Sequence, residues 1–159
     1  MALRFLLYGL FGWCAEIVWT ALYDAVSGTR RAAGDEVGRI AMTRAERLRL
    51  EGRTYLWMLP IYGSAALLFE PAHEALRAHF WLLRGTLYCL GIFAVEGASG
   101  YLLKWTTGRI PWDYSYARTS IRGVIRLDYA PVWFLFGMLL ERAHDFLVTI
   151  QPALYTALS

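Results

Sequence analysis

Four stretches of the chain, at about 3–26, 55–76, 80–104 and 127–150, are apolar over some 20 residues or more. A helix needs roughly 20 such residues to cross the hydrocarbon core of a bilayer. Seven Trp, ten Tyr and eight Phe in 159 residues, with 57% hydrophobic side chains, exceed what a water-soluble domain of this size has room to bury. The expected fold is therefore all-α: a polytopic membrane four-helix bundle forming a single transmembrane domain over 1–159. The first stretch has an apolar run too long for a signal peptide, and no small-x-small cleavage site follows before Asp24.

The segment Gly52 to His73 recurs 71 positions later as Gly123 to His144, with Leu56/Leu127, Pro60/Pro131, Leu68/Leu139, Glu70/Glu141 and Ala72/Ala143 at identical offsets. A second match, offset by 80, aligns Arg4, Leu7, Tyr8, Leu10, Glu16 and Leu22 with Arg84, Leu87, Tyr88, Leu90, Glu96 and Leu102. The chain reads as two helical-hairpin repeats, about 4–73 and 84–144. Each contributes one isolated Glu and one Glu-x-x-His within apolar sequence, where ionisable groups are costly and mark candidate sites.

Of sixteen basic residues, seven fall in loop 27–54 and five in 104–126. That distribution argues for membrane topology rather than nucleic-acid binding, despite the net charge of +3. Both basic loops are expected in the cytoplasm, free to dock a partner, and both termini outside the cell membrane. The repeats then run parallel, related by an axis along the membrane normal. Cys14 and Cys89 read as free, buried thiols. Thr43-Arg-Ala-Glu46 is a capping box, expected to open a short basic amphipathic helix on the cytoplasmic surface. Pro60 and Pro131 suit the first turn of their helices.

The elements Tyr8-Gly-Leu-Phe-Gly-Trp-Cys-Ala-Glu16, Pro60-Ile-Tyr-Gly63, Pro111-Trp-Asp-Tyr-Ser115 and Gly123-Val-Ile-Arg-Leu-Asp-Tyr129 come next. Together they resemble the putative type IV ABC-transporter permease-like membrane family, most closely its transmembrane protein 229 branch. The resemblance covers nearly the whole chain, apart from loop 27–54, which is longer here. It implies a polytopic membrane protein of about four helices. No Walker A pattern occurs, so any ATPase would be a separate protein.

Glu at i and His at i+3 share one helix face. One Glu from each of two helices plus Glu-x-x-His from each of the others is the ligand set of di-metal carboxylate bundles. Glu16, Glu70, His73, Glu96, Glu141 and His144 supply it in that order, and these donors suit two ions of iron, manganese or zinc. Counting from Pro60 and Pro131 puts Glu70 and Glu141 about 15 Å along their helices. Glu16 and Glu96 lie about 18 Å from the opposite ends of theirs, so one shared centre near mid-membrane is expected. Three rivals stay open. The carboxylates form an ion or proton relay in a permease-like subunit; His73 and His144 ligate haem; or the acids are protonated and merely hydrogen-bonded in a non-catalytic accessory protein. Arg109, Trp112, Asp113, Tyr114 and Asp128 form a further candidate group at the loop end. Interfacial anchoring is the expected role of Trp112 to Ser115, catalysis the alternative. Glu74, Arg77 and His79 read as ordinary surface polarity. No feature names a substrate.

Overall fold

The computed structural model describes residues 1–31 and 38–158. Its elements run α1 (Ala2–Ser27), β1 (Thr29–Arg31), β2 (Arg39–Ala41), α2 (Arg44–Leu48), α3 (Met58–Gly63), α4 (Ala65–Leu76), α5 (Trp81–Thr107), β3 (Ser120–Ile121), β4 (Ile125–Arg126), a 3-10 turn (Leu127–Tyr129) and α6 (Ala130–Leu158). The chain is mostly helical. Two helices, α1 and α5, are long and apolar enough to cross a membrane. The α3–α4 column is interrupted at Ser64, and α6 carries Glu141, Arg142 and Asp145.

Local chemistry sets the helix ends. Gly28 and Gly108 adopt φ of 68° and 76°, and their N–H groups bond the Asp24 and Lys104 carbonyls, closing α1 and α5 with left-handed caps. Pro60 and Pro131 fall in the first turns of α3 and α6, where the missing N–H costs nothing. The α4 helix continues through Pro71. Thr43 and Glu46 form the full capping box of α2, a helix with no buried residue.

Helices pair antiparallel. Phe5 lies against Gly63 and Gly9 against Leu59, while in the other pair Arg84 meets Glu141 and Cys89 meets the Ala130 carbonyl, with Gly85 against Phe134 and Gly137 against Tyr88 between them. Small residues let these backbones approach closely, the favoured packing where lipid supplies no hydrophobic drive. Cys89 is buried as expected, but Cys14 is exposed.

The helix depths differ from the expected spans of 55–76 and 127–150. Residues 51–57 are not helical; they run beside the second half of α1. Gly52 touches Ile17, the Arg53 N–H donates to Thr20 Oγ1 at 2.9 Å, and Trp13 Nε1 donates to the Tyr55 carbonyl at 3.0 Å. Consequently α3 begins level with the middle of α1 rather than with its end. The other half repeats the arrangement. The turn joining antiparallel strands β3 and β4 packs fully buried Val124 on Gly100, and β4 packs Ile125 on Gly97, so α6 starts part-way along α5. The α1 helix rises about 39 Å over its 26 residues.

The Gly12 contact offers a test of this packing. A Cβ there would lie 2.4 Å from the Tyr62 Cβ, an atom that cannot swing away, whereas a Cβ on Gly91 meets nothing within 4 Å. Gly12→Ala is expected to destabilise by about 1–3 kcal/mol through overpacking. Gly91→Ala should be neutral or stabilising, given the better helix propensity of Ala. Thermal unfolding of the two variants in detergent checks the difference.

Candidate functional site

The six predicted ligands fall into two layers. The first lies near the start of α1, where Arg4 Nη1 meets Glu70 Oε2 at 2.9 Å and Arg84 grips Glu141 with two bonds, at 3.0 and 2.8 Å. Tyr8 hydroxyl meets His144 Nδ1 at 2.8 Å, and Tyr88 hydroxyl meets His73 Nδ1 at 2.9 Å. Tyr88 also donates to Glu141 at 3.2 Å, while Tyr8 lies against Glu70. The two imidazoles meet edge to face, with ring centroids 5.0 Å apart. Each tyrosine thus touches the glutamate of its own hairpin and the histidine of the other.

A rim of charge surrounds the imidazoles. His144 Nε2 lies 3.3 Å from Glu74 Oε1, His73 Nε2 lies 3.7 Å from Asp145 Oδ1, and Arg77 bridges Glu74 and Asp145 at 2.9 and 3.1 Å. Glu74 and Asp145 align at the same offset of 71 as the histidines. Glu74 and Arg77 are exposed, as expected of surface residues, yet they rim the imidazoles; Arg4, Arg84, Tyr8 and Tyr88 are partners that the sequence reading does not include. The signal was available, since all four of those partners recur at the offset of 80.

Glu16 and Glu96 form the second layer. Each stands eight residues beyond the tyrosine of its helix, about 12 Å along the axis. Thr54 donates to Glu16 Oε2 at 2.6 Å. Tyr114 and Trp133 face the Glu96 carboxyl, yet Glu96 Oε2 and Trp133 Nε1 are buried without a hydrogen-bond partner. The Tyr62 hydroxyl faces both carboxylates. A single centre built from all six residues is therefore not what the side chains form. The register assumed that α3 and α6 start level with the ends of their partners, and they do not.

The chemistry of the two layers differs. Arginines neutralise Glu70 and Glu141, so these carboxylates are committed. Among the described residues, no basic side chain lies within ion-pair distance of Glu16 or Glu96. Both of these line a cavity of about 870 Å³ between the α1/α3–α4 pair and the α5/α6 pair. That cavity extends from Tyr8 and Tyr88 at one end to Asp24 and Arg39 at the other. Asp24, 3% exposed, is held there by Arg39 and by Arg53 at 2.9 Å.

The loop candidates have structural work. Trp112 is not an interfacial anchor: it is buried beside Met58 and Leu103 and donates to the Val124 carbonyl at 3.1 Å. Asp113 Oδ1 accepts the Ser115 N–H at 2.8 Å, tying the turn. Asp128 pairs with Arg126 at 2.7 Å and accepts the Thr119 hydroxyl. Arg109 follows the α5 cap, its N–H near Thr107 Oγ1 at 3.4 Å. Trp112, Asp113 and Tyr114 all line the cavity, and Tyr114 stands beside Glu96.

The model of a family described as "Putative ABC-transporter type IV" matches residues 3–157. The chain belongs to that family. Membership and the two apolar helices together make it a membrane protein of transporter-like lineage. No solved structure matches it. His73, His144 and Asp145 each offer a ligand atom, all within 4.8 Å of one another, which is the one such grouping among the described residues.

Removing Arg84 should strand a buried carboxylate. Arg84→Ala is expected to cost about 3–5 kcal/mol of unfolding free energy, because Glu141 loses its counter-charge. Arg77→Ala, in an exposed and solvent-screened pair, should cost far less. Denaturant unfolding in detergent separates the two.

Proposed function

We propose that this type IV family member is a multi-pass transporter-like protein whose path is the cavity between two helical hairpins. In this reading the hairpins are duplicated, parallel repeats forming a four-helix bundle, and residues 1–159 are one transmembrane domain. The termini lie outside, and the basic loops 27–54 and 104–126 are the cytoplasmic surfaces for a partner. The narrower kinship with the transmembrane protein 229 branch rests on the quoted motifs.

The observation that carries the reading is one cavity holding a carboxylate from each half, Glu16 and Glu96, with no counter-cation beside them among the described residues. Carboxylates so situated exchange protons or cations as the path opens to either side. The Arg4–Glu70 and Arg84–Glu141 pairs, crossed by the Tyr–His contacts, then close the outer end. Opening that end means parting the two hairpins at their Tyr–His contacts, while each Arg–Glu pair stays within its own hairpin.

In liposomes loaded with a pH-sensitive dye, the purified protein should carry protons under an imposed gradient. Combining Glu16→Gln with Glu96→Gln should abolish the flux, and Glu46→Gln should leave it intact. Flux that persists in the double variant, or none above empty liposomes, contradicts the reading.

A second reading is favoured by the His73, His144 and Asp145 grouping. Since Tyr88 gives its proton to Glu141, neutral His73 donates from Nδ1 and keeps a lone pair on the buried, unpartnered Nε2. Such an atom beside a second imidazole and a carboxylate suits one zinc, iron or manganese ion. Arg77 would have to release Asp145. Elemental analysis should then find one ion per chain, lost in His73→Ala with His144→Ala. Purified protein without metal, whose unfolding temperature neither zinc nor chelator moves, would rule this site out.

A further inference from the structure

We infer that the cavity takes an amphipathic organic cation, with Glu16 and Glu96 as its counter-charges and the aromatic side chains between them as its seat. This names a ligand class for the transport path proposed above and rests on that reading only for the site's purpose. The first support is charge. Glu96 is 9% exposed, its Oε2 has no hydrogen-bond partner, and it lines the cavity. An unneutralised carboxylate in so apolar a space calls for a cation or a proton. The arginines that line the same cavity do not answer it: Arg39 and Arg53 hold Asp24, and Arg31 bonds the Tyr55 hydroxyl and the Pro111 carbonyl.

The second support is the character of the wall. Phe136 stands between the hairpins, 6.4 Å from Phe11, 6.2 Å from Tyr62 and 6.1 Å from Trp133 by ring centroids. Ring faces attract a cation, and more strongly once water is excluded. A bare metal ion would find too few oxygen donors here and would leave most of the volume unfilled. Drug-sized ligands occupy cavities of roughly 300–1,000 Å³, and this one is about 870 Å³. A bulky apolar body bearing one delocalised positive charge fits the rings and the volume, and it balances the site when one of the two carboxylates is ionised and the other keeps a proton.

Tetraphenylphosphonium and tetraphenylborate have the same shape and opposite charge, so they form the test. Purified protein in detergent should bind radiolabelled tetraphenylphosphonium saturably and unfold at a higher temperature in its presence. Tetraphenylborate should do neither. Glu16→Gln with Glu96→Gln should weaken cation binding by at least about tenfold, and Trp133→Ala should weaken it as well. The thermal shift of the unaltered protein needs no variant, so a misfolded double variant does not remove the test. Equal binding of the borate, or cation binding untouched by the double variant, overturns the inference. Proton flux that needs both carboxylates, without phosphonium binding, overturns the ligand class and leaves the transport reading standing. Phosphonium binding without flux supports the cation site and sinks transport.

Discussion

A carboxylate between apolar helices stays charged only if a cation meets it, and Arg4 and Arg84 meet Glu70 and Glu141. The rest of the structure follows from those two pairs. They hold each helical pair in register at one end and consume the charge that a metal would otherwise need. Their tyrosine neighbours carry the contact across to the opposite histidine. Such pairs add little net stability compared with apolar packing of the same shape, yet losing one partner is expensive. They specify how the hairpins meet.

The same ledger of charge explains the second layer. Glu16 and Glu96 are alike in sequence setting to Glu70 and Glu141, but among the described residues no arginine stands opposite them. Their free valence, and not their number, distinguishes them. Two kinds of acid thus serve two ends: one pair closes the bundle, the other pair faces an open volume. A reading that pooled all four as metal ligands treated unlike groups as equals.

Much of this was legible in the sequence. The long apolar stretches, the left-handed glycine ends, the prolines in first turns and the Thr43–Glu46 capping box each follow from local chemistry and appear where that chemistry puts them. Depth was not legible. Whether residues 51–57 extend α3 or run beside α1 depends on Thr20, Thr54 and Trp13 satisfying their backbone and side chains, a tertiary matter that apolar periodicity does not encode. That shift moved Glu70 to the level of Arg4 and Tyr8 and left Glu16 about 12 Å beyond Tyr8 along the axis. The burial of Trp112 escaped for the same reason, since its partner Val124 belongs to the turn between β3 and β4, which only the folded loop creates. Arg4, Tyr8 and their counterparts were visible as recurring residues, and reading the recurrence as contact would have found the lock.

The central claim is that the two layers are separate. A double-mutant cycle tests it most directly, using unfolding free energies in detergent for Glu96→Gln and His73→Phe, singly and together. Groups about 12 Å apart along the helix axis with no shared partner should add within about 0.5 kcal/mol. By contrast Tyr88→Phe and His73→Phe, which share a hydrogen bond, should couple by more than that. Coupling of Glu96 to His73 as strong as that of Tyr88 to His73 would contradict the account and restore a single centre.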